Sequence, residues 1–248
     1  MLDVPQFKTS LLKGVAWRVV EAQHIISTNK LVDTLEEQEI LENILEESKP
    51  KVPEECSKLD YLLSTPFRYV TYKNGSRFRR EGKTPGVWYG AKYEETAIAE
   101  TIFYKFLFIS ESPETSFNLK DTSFTAFSAQ ISTKMGLDLT EKENAIYLEK
   151  CSHLTDYSES QLIADQSRKE GIEIIKYLSV RDSNRRPNLA VLSCNVFTSR
   201  EPTNRHTWRI SFLKNVAHAY REHPRKTITF PIRDFNYDPR INIVPVAL

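Results

Sequence analysis

The chain has 248 residues, enough for one large domain or two small ones, with the 40% hydrophobic and 27% charged content of an ordinary globular protein. Its 34 basic and 33 acidic residues almost cancel, so no global field draws it to nucleic acid or to a membrane surface. No run approaches membrane-spanning length, no basic-then-apolar leader opens the chain, and Cys56, Cys151 and Cys194 form neither a disulfide framework nor a CxxC metal site. A reducing, cytoplasmic setting is therefore expected, although a leaderless exported effector carries the same signature.

Residues 1–60 hold seven basic and twelve acidic side chains, an acidic flank beside a basic stretch downstream. Val15 to Val20 alternates as a short strand containing Arg18 beside Trp17. Thr34 to Ser48 reads as a helix: Thr34 and Glu37 have capping-box spacing, and Pro50 and Pro53 stop it. It carries no chemistry, and reads as a solvated acidic helix or, more weakly, as a docking face for a basic partner.

The stretch from Pro66 to Phe108 organises the rest. From 66 to 83 it has six basic residues against one acidic, interleaved with Phe67, Tyr69, Tyr72 and Phe78. Asn74-Gly75 is a two-residue hairpin signal, so Phe67–Tyr72 and Arg77–Arg80 read as paired strands. Val87–Ala91 reads as a third strand, and a helix begins near Glu94 and Glu95, whose charges suit its positive end. Between Thr96 and Tyr104 the only charge is Glu100, and its neighbours three and four residues away offer no cation. Either it faces solvent on a narrow polar stripe, or it sits in a cleft opposite the upstream arginines.

Beyond Phe108, Ser110–Thr122 reads as a polar surface loop and Thr125–Ile131 as a strand, while Leu139–Leu154 is ambiguous. Ser158 and Gln161 repeat the capping-box spacing before a helix that Gly171 ends. Ile172–Val180 is strand-like, with Glu173, Ile175, Tyr177 and Ser179 on one face. A short basic loop leads to a strand over Asn188–Phe197, and further strands are expected at Thr207–Leu213 and Thr227–Ile232. A hairpin among irregularly interspersed strands and helices, rather than repeated βαβ units, argues for α+β.

Metal chemistry has no ligand-spaced histidines to rest on, GxGxxG and the P-loop are absent, and Ser179 lacks a glycine-flanked elbow. What remains is an arginine-and-aromatic pocket with one carboxylate. Guanidinium forks suit a pyrophosphate, tyrosine faces suit a flat heteroaromatic ring, and a fixed anion suits an oxocarbenium-like transition state. These parts fit cleavage of the nicotinamide–ribose bond of NAD. A different class, a single-stranded nucleic-acid face built on Arg77-Phe-Arg-Arg80, is the non-enzymatic alternative.

Pro66-Phe-Arg-Tyr69, Gly75-Ser-Arg-Phe78, Gly86-Val-Trp-Tyr-Gly-Ala91 and Thr96-Ala-Ile-Ala-Glu100 occur in the order and spacing of the RES-domain family, which the chain resembles over most of its length. Ala16-Trp-Arg-Val-Val20 upstream, and Tyr177-Leu-Ser-Val-Arg181 and Asn188-Leu-Ala-Val-Leu192 downstream, continue the likeness. The resemblance implies one domain over 1–248 with residues 1–60 as an extension packed on the core. Its sheet would be mixed or antiparallel, of the ADP-ribosyltransferase-toxin type, with peripheral helices. It implies a toxin that degrades NAD, with phosphate as acceptor in the phosphorylase type, no resident cofactor, and a helix-turn-helix antitoxin as partner. A protein mono-ADP-ribosyltransferase and a glycohydrolase are the enzymatic alternatives. Carried over by position, Arg18, Arg77, Glu100 and Ser179 are the catalytic candidates. Arg68, Tyr69, Tyr89 and Arg181 join them as NAD-binding candidates. Arg77-Phe78-Arg79 stands where compact members have Arg-Trp-Asn, which leaves open whether Arg77 or Arg79 faces the phosphates.

Overall fold

A computed structural model describes residues 7–22, 31–68, 74–82, 84–112, 119–213 and 215–241. Eight strands form one sheet: β1 (Ser10–Glu21), β2 (Trp88–Ala91), β3 (Leu119–Asp138), β4 (Ile174–Leu178), β5 (Pro187–Val191), β6 (Asn204–Leu213), β7 (Val216–Arg221) and β8 (Lys226–Pro231). The order is β1-β2-β5-β4-β3-β6-β7-β8, and β1 also pairs with β3, closing the first five into a ring. All pairings are antiparallel except β3 with β4. The expected α+β architecture with a mixed, mainly antiparallel sheet is what the chain adopts.

The 20-residue β3 makes this possible. One edge pairs with β1 from Phe124 to Gly136; the other meets β6 over Leu119–Ser128 and β4 over Gly136–Asp138. The sequence reading, a loop over Ser110–Thr122 and a strand of seven residues, is corrected here: the strand starts at Leu119, and 113–118 lie outside the described residues. Polar residues such as Thr122, Ser123 and Thr125 look loop-like in sequence, yet they pair with β6, where backbone hydrogen bonds rather than side-chain apolarity hold the strand. β1 is likewise integral to the ring, so the peripheral part of residues 1–60 begins after it.

Helix α1 (Leu35–Ser48) has the expected capping box, Thr34 accepting from the Glu37 amide and Glu37 reaching back to the Thr34 amide. It buries only Gln38. A single turn, α2 (Tyr61–Ser64), comes next and runs into a 3-10 turn at Thr65–Phe67. Helix α3 (Glu94–Glu111) is the central one: it has no Gly or Pro, and Ile98, Ile102 and Phe106 recur at helical spacing. These pack with Phe103, Phe124, Trp208, Phe212 and Phe235 in one core cluster. Burying each such side chain contributes about 1.5–3 kcal/mol. Two further helices are α4 (Ala145–Lys150) and α5 (Ser158–Lys169); Ile163 and Ala164 of α5 share a core cluster with Leu137, Ile175 and Tyr177, and Gly171 at φ +72° ends α5 as expected. The capping box expected at Ser158 does not form: Tyr157 is the N-cap residue, and the Gln161 side-chain amide donates to the Ser76 and Arg79 carbonyls instead.

The cysteines correct the sequence reading. Cys56 and Cys194, 138 positions apart, are disulfide-bonded and join the 3-10 turn at Glu54–Cys56 to that at Cys194–Val196. Sequence distance hid the pairing, and the reducing setting inferred from scattered cysteines loses its support. Cys151 is buried, which pushes its thiol up to about 12 and keeps it unreactive. A bridge closing so long a loop stabilises by about 2–5 kcal/mol. Cys194→Ser, or reductant on the wild type, is expected to lower the urea midpoint accordingly; an unmoved midpoint would show that the bridge does not form in solution. Among the described residues, no helix is long and apolar enough to cross a membrane.

Candidate active site around Glu100

The mouth of the ring between β1, β2, β5 and α3 holds a cavity of about 510 Å³, within the usual range for small-molecule sites. Glu100 lies on its wall, in the first half of α3. Two donors clamp one of its oxygens: Ser179 Oγ and Asn188 Nδ2 each reach Oε1 at 2.6 Å. No protein donor among the described residues reaches Oε2, which leaves that oxygen for a ligand. The cleft alternative for Glu100 is thus the one the geometry adopts.

Ser179 directly follows β4 and is fully buried. Its hydroxyl also accepts from the amides of Arg181 and Asp182, at 3.1 and 3.0 Å, so it fixes the loop as well as the carboxylate. Ser179 therefore acts on the site through Glu100 and does not itself line the cavity. The acidic group beside its hydroxyl is Glu100. Asp182 completes the brace, accepting from Thr96 Oγ1 at 2.7 Å, one turn before Glu100, and from Arg186 Nε at 2.6 Å.

The Asn74-Gly75 hairpin is shifted. Ser76 and Arg79 exchange both backbone hydrogen bonds, so Arg77-Phe78 form the loop and Asn74-Gly75 precede it. Tertiary packing overrides the local signal. The Phe78 ring is buried edge-on to Tyr177, with centroids 4.8 Å apart. Ser160 Oγ and Arg168 Nη2 bind the carbonyls of Arg77 and Phe78, and the Tyr89 hydroxyl meets Ser76 Oγ and the Phe78 amide. Gly75 is needed for close approach, since a Cβ there would lie 2.9 Å from Gln161 Nε2. The expected strand Phe67–Tyr72 is not formed where described: Phe67 closes a 3-10 turn. Tyr69, with the rest of 69–73, lies outside the described residues.

Of the remaining candidates, Arg18, Arg77, Tyr89 and Arg181 line the cavity, and so does Arg79. Arg18 Nη1 donates to the Tyr89 carbonyl at 2.9 Å and lies over Trp88. Arg77 Nη1 donates to the carbonyls of Cys151 and His153, and its guanidinium sits 4.7 Å from the Tyr157 ring centre. Both Arg77 and Arg79 thus reach the cavity. Arg68 is not in its wall; it is ion-paired with Glu46 of α1. Arg181 is 2% exposed and paired with Asp238 at 2.6 Å, over the Phe103 ring.

Sequence reasoning missed Asn188, Tyr104, Tyr157, Tyr177 and Arg240, which also line the cavity. Asn188 did carry a signal, an amide opening an apolar strand, of the same kind as Glu100 in an apolar helix. Burial raises the phenols of Tyr89 and Tyr177, with Glu100 adding to the rise in Tyr177. They remain neutral, offering apolar faces and O–H donors. Among the described residues no cluster of His, Cys, Asp or Glu could hold a metal ion.

Comparison with known proteins gives the chain a family. A solved structure with a similar outline is the crystal structure of the M. tuberculosis MbcT–MbcA toxin–antitoxin complex, at 11% identity and a TM-score of 0.44, covering 83% of this chain and 87% of that one. No curated protein matches the chain. The RES domain model, however, matches residues 52–212, from just before α2 almost to the end of β6. That span contains Glu100, its two clamping residues and the Ser76–Arg79 turn, and by it the chain belongs to the RES domain family.

Proposed function

We propose that this chain is an NAD-degrading enzyme that breaks the nicotinamide–ribose bond and transfers the ribosyl carbon to inorganic phosphate. The observation that carries the reading is the Glu100 carboxylate, clamped through Oε1 alone, in a cavity walled by arginines and tyrosines. As the C1″–N bond breaks, its electron pair returns to the pyridinium nitrogen, so nicotinamide leaves neutral and needs no general acid. Positive charge grows on the ribose, where the open Oε2 stabilises it or holds a ribose hydroxyl. A phosphate oxygen then bonds to C1″, giving ADP-ribose 1″-phosphate. Arg18, Arg77 and Arg79 are the candidates for the dinucleotide's pyrophosphate, and the faces of Tyr89, Tyr157 and Trp17 for its rings.

RES membership supports a toxin role, with a helix-turn-helix antitoxin that covers the cavity as its partner and the chain 1–248 acting as one domain. The rival reading of 66–83 as a nucleic-acid face fits the structure poorly. Arg68 pairs with Glu46, Arg80 with Asp165, and Arg77 is buried against carbonyls, so among the described residues the basic run presents no continuous surface. Water or a protein side chain as acceptor remain the competing reactions. Nicotinamide release from NAD, measured with and without phosphate, separates them. Turnover is expected to rise and saturate with phosphate; turnover indifferent to phosphate overturns the phosphorylase assignment.

A further inference from the structure

Arg240 stands on the cavity wall but comes from the segment after β8, beyond the span matched by the family model. That segment is tied down from several directions. The Tyr237 hydroxyl donates to the Val180 carbonyl, Ser110 Oγ donates to the Arg240 carbonyl at 3.1 Å, and Phe235 packs on Phe103 and Phe106. Asp238, fully buried, is the hub: it pairs with Arg181 at 2.6 Å and takes Nε and Nη2 of Arg240 at 3.0 and 2.9 Å.

One carboxylate therefore faces two guanidiniums, and the cluster keeps one positive charge in excess. Arg181 is sealed, at 2% exposure, whereas the Arg240 side chain is 29% exposed, so the excess is presented to the cavity through Arg240. Its Nη2 also donates to the Leu154 carbonyl at 3.2 Å, which leaves Nη1 with neither carboxylate nor carbonyl among the described residues. The Phe103 face and the Tyr157 phenol lie alongside. Phe103 is one turn on from Glu100, which puts this cation at the carboxylate's end of the cavity. Arg18 and Arg79 belong to the side built by β1, β2 and the Ser76–Arg79 turn.

We propose that Arg240 is the residue that binds the acceptor anion. An inorganic phosphate entering beside Glu100 meets a like charge, and a fixed cation near it is what makes the two anions compatible at once. Arg240 supplies that cation with an orientation set by Asp238 and a guanidinium edge that meets the Tyr157 phenol but, among the described residues, no carboxylate or carbonyl, an arrangement that suits a tetrahedral oxyanion. The assignment rests on the phosphorolytic reading above, and gives the acceptor a subsite at the Tyr157 end of the cavity, next to Arg77 and across from Arg18 and Arg79.

The test is a phosphate titration of nicotinamide release in the wild type, Arg240→Gln and Arg240→Lys. The expected result is a phosphate KM raised tenfold or more in Arg240→Gln and less in Arg240→Lys. The KM for NAD should change much less than the KM for phosphate. A wild type that depends on phosphate, with an Arg240→Gln variant of unchanged phosphate KM, overturns this assignment alone; so does an equal rise in both KM values. A wild type indifferent to phosphate overturns the phosphorolytic reading, and the assignment falls with it. Should Arg240→Gln fail to fold, Arg240→Lys decides: an unaltered phosphate KM in that variant counts against the proposal.

Discussion

Glu100→Gln is expected to lower nicotinamide release from NAD by about a hundredfold or more while leaving the protein folded, since removing one electrostatic stabiliser typically costs that much. The amide keeps the length of the side chain and an oxygen to accept from Ser179 and Asn188, which now meet at Oε1. What it loses is the negative charge, and with it the open oxygen that faces the ribose. Stability should therefore change little while the rate collapses. The measurement is kcat beside a thermal melt. A variant retaining most of its rate would remove Glu100 from the chemistry; one that melts early would make the rate loss structural. Asn188→Ala supplies a graded comparison, because Ser179 alone would then hold the carboxylate.

Glu94→Ala is expected to cost about 3–5 kcal/mol of stability, the usual penalty for stripping one partner from a buried charge pair. Glu94 opens α3 and is almost fully buried. Its Oε1 accepts from Trp208 Nε1 and meets His206 Nδ1, both at 2.7 Å, and its Oε2 accepts from Arg221 Nη1 at 2.7 Å. The alanine leaves a buried guanidinium and a buried indole N–H without acceptors, at the point where α3 joins β6 and β7. For a chain of this size the melting temperature should fall by roughly 6–20 °C. Glu94→Gln, which retains an acceptor, should fall less. A drop of under about 2 °C in the alanine variant would show that solvent reaches these donors. His206 also stacks on Trp17 of the cavity wall at 5.2 Å, so the same substitution should weaken NAD binding in protein that still folds.

How much of this could be read from sequence depended on where each signal was local. α1 announces itself by its capping box and α3 by the acidic residues of its first turn, and Glu100 by its isolation in an apolar helix. The β4 face carrying Ile175, Tyr177 and Ser179 came from simple alternation, and all three are buried. The misses are all long-range. The Asn74-Gly75 turn signal was outweighed by Gln161, Ser160, Arg168 and Tyr89, side chains 11 to 90 positions away from the groups that they bind. The Ser158/Gln161 pattern looked like a cap because sequence does not show that Gln161 has carbonyls to bind elsewhere. Cys56 and Cys194 meet only once the ring closes. Arg181 looked like an NAD ligand until Asp238, 57 residues on, took its charge. Arg240 had no local signal whatever, being one of many surface-type arginines until the segment after β8 folds back against α3.

The most direct test of the central claim is a ³¹P spectrum of purified protein incubated with NAD and inorganic phosphate. Phosphorolysis at C1″ predicts that free phosphate is consumed in step with nicotinamide release. The pyrophosphate signals should persist, and a new phosphomonoester resonance should appear, absent from a Glu100→Gln control. Nicotinamide release with no new monoester would mean that water or protein accepts the ribosyl group. Loss of the pyrophosphate signals, or no nicotinamide at all, would contradict the account of the site.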